Sequence, residues 1–133
     1  MRLGVGGCFD LLMGGRADLT RPWYRIRPWE VRLYERLGVK GWKGRMPAYD
    51  PALFDPAAHS WAEIAQAMCQ AELVHETIAL LSFLPLALIP LFGAAAVFLL
   101  TGLAGALFDL SFAVIQRYNR PRVLRLMERQ ARR

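Results

Sequence analysis

The sequence predicts an all-α membrane protein: a transmembrane helical hairpin with amphipathic interfacial helices on the cytoplasmic side. Three observations carry this expectation. First, 55% of the 133 residues are hydrophobic, yet the net charge is +6. High apolar content beside many cations is the composition of a membrane protein with basic flanks. Second, the charges are segregated. Of 17 Lys and Arg, 9 lie between Arg16 and Arg45 and 7 between Arg117 and Arg133, and between Glu76 and Arg117 the sole formal charge is Asp109. Third, the apolar stretch 77–115 is 39 residues long. One spanning helix needs about 20. Two helices back to back therefore fit, and the remaining basic and polar chain offers no apolar partner for a soluble core.

Residues 1–59 form a basic, aromatic interfacial region, 60–116 the helical hairpin, and 117–133 a basic amphipathic tail, within one membrane domain. The opening "MRLGVGGCFDLLMGG" is broken by Asp10 and diluted by glycine, which excludes a spanning helix, and residues 1–27 read as an irregular or loosely helical arm. "RPWEVRLYERLG" places Pro28 in the first turn of a short helix and Gly38 at its C-terminal cap. Val31, Tyr34 and Leu37 repeat on one stripe. Trp23, Tyr24, Trp29, Tyr34 and Trp42 gather around it, and such rings prefer the head-group layer. "MPAYDPALFDPAAHS" has two Asp-Pro steps and reads as a connector. Ser60 with Glu63 is a capping box, so a helix starts near Trp61. It becomes wholly apolar after Glu76. Pro85 introduces a kink, "PLFG" at Pro90–Gly93 makes the turn, and a second apolar run covers 94–115. Gly102 and Gly105 permit close packing, or serve only as a kink or lipid-facing positions. In "NRPRVLRLMERQARR", Asn119 caps, Pro121 suits the first turn, and Val123, Leu124 and Met127 share a side, giving a surface helix. Because a hairpin has both ends on one side and both flanks are basic, both termini are expected in the cytoplasm.

The turn centre lies near residue 91 or 92, so Asp109 should sit level with Glu72, His75 and Glu76 across the hairpin. On a helix Glu72 shares a face with His75 and Glu76. A histidine beside carboxylates can act as general base toward a hydroxyl, with an acid fixing its tautomer. The same cluster is also what the wet end of a spanning helix looks like, with Asp109 as a structural hydrogen-bond partner. Spacing alone does not separate the two.

Several classes are excluded. Nucleic-acid binding would use the cations but not the long apolar stretch. Cys8 and Cys69 are too few and too separated for a metal cluster and read as reduced thiols. No metal and no cofactor is called for.

"YRIRPWE", "YERLGVKGWKGRMP", "AELVHE" and "QRYNRPRVLRL", in this order over roughly residues 24–126, resemble the glycosyl-4,4′-diaponeurosporenoate acyltransferase family. These are small bacterial integral membrane proteins, so the resemblance implies the bacterial inner membrane. It also implies transfer of a fatty acyl group onto a hydroxyl of a glycosylated lipid or carotenoid, as in staphyloxanthin biosynthesis. Members usually have an apolar segment ahead of the "RPWE" region, where this chain has only the broken "GVGGCFDLLMGG"; the resemblance implies either a shortened N-terminus or a misassigned start. Members often have an aromatic residue where this chain has Glu76. The implied partners are membrane lipids, a lipid-linked or carotenoid substrate and an acyl donor. The candidate catalytic residues are His75 as base, with Glu72 or Asp109 as its orienter. Lys40, Lys43, Arg45, Arg117, Asn119, Arg120 and Arg122 are the candidates for substrate and phosphate binding. The alternative is a non-enzymatic membrane scaffold or complex subunit whose cations hold anionic lipid, at about 1 kcal/mol per cation.

Overall fold

The computed structural model describes residues 17–46 and 51–133, together with positions 4, 7, 8, 11, 12 and 14. Most of the arm ahead of Ala17, and positions 47–50 of the connector, lie outside the described residues. Among the described residues all regular secondary structure is helical. Helix α1 spans Pro28–Arg36, α2 Trp61–Leu81 and α3 Ala95–Ala131. Short 3-10 segments at Pro22–Tyr24, Val39–Gly44, Pro51–Phe54 and Leu84–Leu88, and one helical turn at Ile89–Phe92, join them.

The helix ends follow local chemistry. At the start of α2, Ser60 Oγ accepts from the Glu63 N–H at 3.3 Å, and Glu63 Oε2 accepts from the Ser60 N–H at 2.8 Å. This reciprocal pair satisfies two N–H groups that the first helical turn leaves orphaned. In α1, Pro28 occupies the first turn and Glu30 Oε2 accepts from the Arg27 N–H at 2.6 Å. Gly38, at φ +66°, ends it, a conformation only glycine adopts cheaply. At the other end of α2, Pro85 has no N–H to continue the α-ladder, and the chain tightens into the 3-10 segment. Gly93, at φ +67°, then reverses the chain into α3.

Helices α2 and α3 pack antiparallel as the hairpin. Their closest approach is set by glycine. A Cβ on Gly102 would lie 2.9 Å from the Ser82 carbonyl oxygen and 3.3 Å from Phe83 Cδ1. One on Gly105 would lie 3.1 Å from Ser82 Oγ. Both glycines therefore serve close packing. Away from this seam the hairpin is apolar and uncovered: Leu80, Leu91, Phe92, Leu100 and Leu107 are all at least 59% exposed. The most apolar windows of Trp61–Phe92 and Ala95–Ala131 are only 11% and 33% buried, whereas the core helix of a soluble protein is mostly buried. Both are long and apolar enough to cross a membrane.

The C-terminal segment departs from expectation. It is not a separate surface helix but the continuation of α3, which runs unbroken through Pro121. Asn119 does not cap; its Nδ2 donates to the Ile115 carbonyl at 2.7 Å, one turn back. Pro121 removes a single ladder bond, and Arg117 and Arg120 anchor the turn just before it. At about 1.5 Å per residue the 37 residues reach roughly 56 Å, against a hydrocarbon core of about 30 Å. The basic third must therefore project beyond any bilayer the apolar part crosses.

Helix α1 and the Val39–Gly44 segment dock on α3. Tyr34, Val39 and Ile115 form a buried cluster, with Ile26, Trp42 and Tyr118 packed around it. Tyr34 meets Tyr118 edge to face at 6.4 Å. The "LGVKGWK" stretch is thus pinned to the hairpin, with Lys40 and Lys43 left on the outside. The inward face of α1 is Glu30 and Tyr34, not the Val31–Tyr34–Leu37 stripe; Leu37 is 52% exposed. The cause is an arginine on α3 that draws Glu30 inward.

Candidate functional site

That arginine belongs to a buried charge cluster. Arg117 Nη1 donates to Glu72 Oε1 and to the Trp23 carbonyl, each at 2.7 Å. Its Nε donates to Glu30 Oε1 at 3.1 Å and its Nη2 to the Arg25 carbonyl at 3.0 Å. Arg120 donates to Glu72 Oε2 and to the Tyr24 carbonyl. Its guanidinium carbon also lies 5.0 Å from the centre of the Tyr24 ring. Burial pushes the Tyr24 phenol up to about 12, so it stays neutral beneath the cation. Glu72 is wholly inaccessible and Arg120 is 1% exposed. Two arginines on α3 are therefore balanced by one carboxylate from α2 and one from α1. Two backbone carbonyls of the 3-10 turn and one just beyond it fill other donors. The pairing satisfies the condition for burying charge at all.

Nearer the hairpin's turn, about one turn on from Glu72 along α2 and two to three turns before Arg117 and Arg120 along α3, His75 Nδ1 and Asp109 Oδ1 are 2.8 Å apart. The imidazole stacks on Phe112 at 4.7 Å with an interplanar angle of 10°, and Phe108 meets Phe112 edge to face. The side chains of His75 and Asp109 are 15% and 7% exposed. A carboxylate on Nδ1 favours the tautomer with the proton there, which places the lone pair on Nε2. The stacked ring holds the imidazole plane. An imidazole held in this way has the geometry that a general base and an orienting carboxylate require.

The hairpin has two sides. On one, Ile64, Met68 and His75 follow one another on α2 at spacings of four and seven, facing Phe112, Asn119, Val123 and Leu126 on α3 at seven, four and three. On the other, Leu73, Glu76, Thr77 and Leu80 face Ala106, Leu110, Ala113 and Arg117. Both are helical periodicities. The His75 side carries a cavity of about 210 Å³ lined by Lys43, Trp61, Ile64, Met68, Asn119 and Arg122. Beside it, about 570 Å³ opens among Lys40, Glu35, Tyr118, Asn119, Arg122 and Arg125. The Glu76 side carries a cavity of about 480 Å³ among Trp23, Arg27, Trp29, Glu30, Glu76 and Arg117. It adjoins an apolar groove of about 400 Å³ along Leu73, Thr77, Leu80, Phe83 and Ala106. Trp23, Glu76 and Leu110 line both. There Trp23 Nε1 donates to Glu76 Oε2 at 3.1 Å. Neither His75 nor Asp109 lines any of the four cavities.

Residues 20–129 match the family model described as glycosyl-4,4′-diaponeurosporenoate acyltransferase. The chain belongs to this family. No curated protein and no solved structure matches it. Membership supports an acyltransferase of a carotenoid pathway.

Within this acyltransferase family chain, the structure sorts the residues singled out from sequence. It brings His75 and Asp109 into contact. It puts Glu72 against Arg117 and Arg120 and so away from the role of orienter. It groups Lys43, Asn119 and Arg122 around one cavity and Lys40, Asn119 and Arg122 around its neighbour. Arg45 is exposed at the end of the 3-10 segment and lines none of them. Three residues outside the candidate set gain a place. Glu30 was legible as the one acid among Arg25, Arg27 and Arg32, a sign that something must pair with it. Trp23 and Glu76 meet across 53 residues, a contact no local pattern encodes.

Proposed function

We propose that this chain is a membrane acyltransferase that moves a fatty acyl group onto a hydroxyl of a glycosylated lipid or carotenoid. His75 is the general base, Asp109 its orienter, and the basic ends of the hairpin lie in the cytoplasm. The observation that carries this assignment is the 2.8 Å contact between His75 Nδ1 and Asp109 Oδ1. Asp109 accepts a hydrogen bond from Nδ1–H and stabilises the imidazolium that forms. Nε2 takes the acceptor's hydroxyl proton as its oxygen attacks the acyl carbonyl. The same proton then returns to the leaving group as the bond to it breaks. A hydroxyl near neutral pH is a poor nucleophile without such a base. Lys43, Asn119 and Arg122 bind the phosphate of a donor, and Lys40 and Arg45 add contact with anionic lipid. Glu72, Arg117 and Arg120 hold the helices in place for this chemistry.

Glu76 is the second candidate base, because it lines both of the cavities described on its side of the hairpin. Mass spectrometry of glycolipids and pigments from cells expressing the wild type, His75→Ala or Glu76→Gln separates the two. Loss of the ester with His75→Ala alone supports the first assignment, and loss with Glu76→Gln alone transfers the role. Absence of any new ester with the wild-type chain, in cells supplying a glycosylated carotenoid, refutes acyl transfer and favours a lipid-binding scaffold.

A further inference from the structure

We propose that the cavity lined by Lys43, Asn119 and Arg122 holds the phosphate end of a phosphopantetheine thioester, so that the acyl donor is an acyl-coenzyme A or acyl-carrier thioester rather than a membrane phospholipid. The inference rests on the acyl-transfer function proposed above and adds the donor class and its site.

Three observations point there. The first is charge: among the described residues, both ionisable groups lining this cavity are cations, whereas Glu35 sits in the neighbouring one. Burial, and secondarily the charge of Arg122, hold the Lys43 ammonium below its ordinary value. A phosphate oxyanion suits two cations on one wall, and Asn119 adds an amide group beside them. The second is placement. Ile64 and Met68, which wall the cavity, share the face of α2 that carries His75, and Asn119 and Val123 share the face of α3 that carries Phe112. Base and cavity therefore open on the same side of the hairpin. The third is distance. His75 lies seven residues beyond Met68 and eleven beyond Ile64, or roughly 10–16 Å along the axis at about 1.5 Å per residue. The pantoate, β-alanine and cysteamine units of the arm compare with four to five extended residues, roughly 15 Å at about 3.5 Å each. A phosphate at Lys43 and Arg122 thus delivers its thioester to His75. Beyond His75 the same side is apolar, with Ile78 and Phe108, where the acyl chain lies. A glycerophospholipid has its ester only a few bonds from its phosphate and cannot span the interval.

The step balances. His75 Nε2 takes the proton of the acceptor hydroxyl, and the oxygen bonds to the thioester carbonyl carbon. The tetrahedral intermediate collapses with cleavage of the C–S bond, and the imidazolium returns the proton to the thiolate. The products are the ester and the free thiol.

The test is calorimetric titration of the full-length protein, in neutral-lipid nanodiscs, with pantetheine 4′-phosphate, with pantetheine and with coenzyme A. Phosphatidylglycerol vesicles provide a parallel arm. The phosphorylated ligands should bind about tenfold or more tightly than pantetheine, the scale of a lost charge-assisted hydrogen bond. Lys43→Ala and Arg122→Gln should each remove most of that difference, whereas Lys40→Ala, in the neighbouring cavity, should not. Melting curves confirm that these exposed-site variants stay folded. Equal binding of pantetheine and its phosphate overturns the proposal. So does insensitivity to Lys43→Ala, or Lys43-dependent binding of the vesicles without binding of coenzyme A. Ester formation from a phospholipid donor without coenzyme A binding sinks the donor class and leaves acyl transfer standing. Phosphate-dependent, Lys43-dependent binding with no ester formed from an acyl-coenzyme A supports the site and sinks acyl transfer instead.

Discussion

Two groups of cations, one on α3 and one shared between α3 and the Val39–Gly44 segment, meet opposite fates. Arg117 and Arg120 point into the bundle and are matched by Glu30 and Glu72, two charges against two. Lys40, Lys43, Arg122 and Arg125 ring the outside and line cavities in which Glu35 is the sole acid among the described residues. The first group is held in ion pairs within the bundle, although Arg117 and Glu30 also line the cavity beside Glu76. The second lines the cavities of the outer face. Placement, rather than residue type, separates the two groups.

The largest effect expected from that contrast is at Glu72. Glu72→Ala would strand the buried Arg120 guanidinium and leave Arg117 with Glu30 as its carboxylate, and breaking a buried pair in this way costs about 3–5 kcal/mol. The variant should unfold at much lower denaturant in detergent and accumulate poorly in cells. A protein as stable as the wild type would show that the cluster is not what joins α1, α2 and α3.

His75→Ala should leave the fold intact and lower turnover by about 10²- to 10⁴-fold, the range for a general base. Asp109→Asn should cost less, since an amide still orients the ring but cannot stabilise its charged form. Steady-state rates beside melting curves read both. An Asp109→Asn loss larger than that of His75→Ala would break the base–orienter assignment.

Gly102→Ala tests the seam rather than the charges. The new methyl group would meet a backbone oxygen that cannot rotate away, and overpacking of this kind costs about 1–3 kcal/mol. Gly105→Ala should cost less, because it meets the movable Ser82 hydroxyl. Equal effects at the two positions would mean that the helices slide apart to accommodate either.

The smallest expected effect sharpens the comparison most. Lys40→Ala and Arg45→Ala should change stability by no more than about 0.5 kcal/mol, as for exposed sites without partners in the core. Each should weaken binding to phosphatidylglycerol vesicles by about 1 kcal/mol at low salt. A stability loss approaching that of Glu72→Ala would erase the distinction between the groups. Reporters fused at either terminus check the frame in which all this is set: both should be cytoplasmic.

Hydropathy by itself determined the helical hairpin, because a largely apolar stretch of 39 residues with one formal charge can be shielded from water as two helices side by side whatever the distant contacts are. Ser60 with Glu63, Pro28, Gly38 and Gly93 likewise fixed helix ends, since caps and left-handed turns are local chemistry. Counting back from the turn set Asp109 level with His75, because an antiparallel pair of helices has one rise per residue. What only the tertiary structure decided was which of many similar charges meet. Glu72 has His75 and Glu76 as helical neighbours, yet its carboxylate goes to Arg117 and Arg120, some forty-five residues away. Asn119 and Pro121 carry the signals of a helix start and lie inside a helix, because anchored arginines hold the turn before them. A local pattern states what a residue can do for its neighbours in sequence. It does not state which distant partner offers more, and for an ionised side chain out of water that partner decides where the side chain goes.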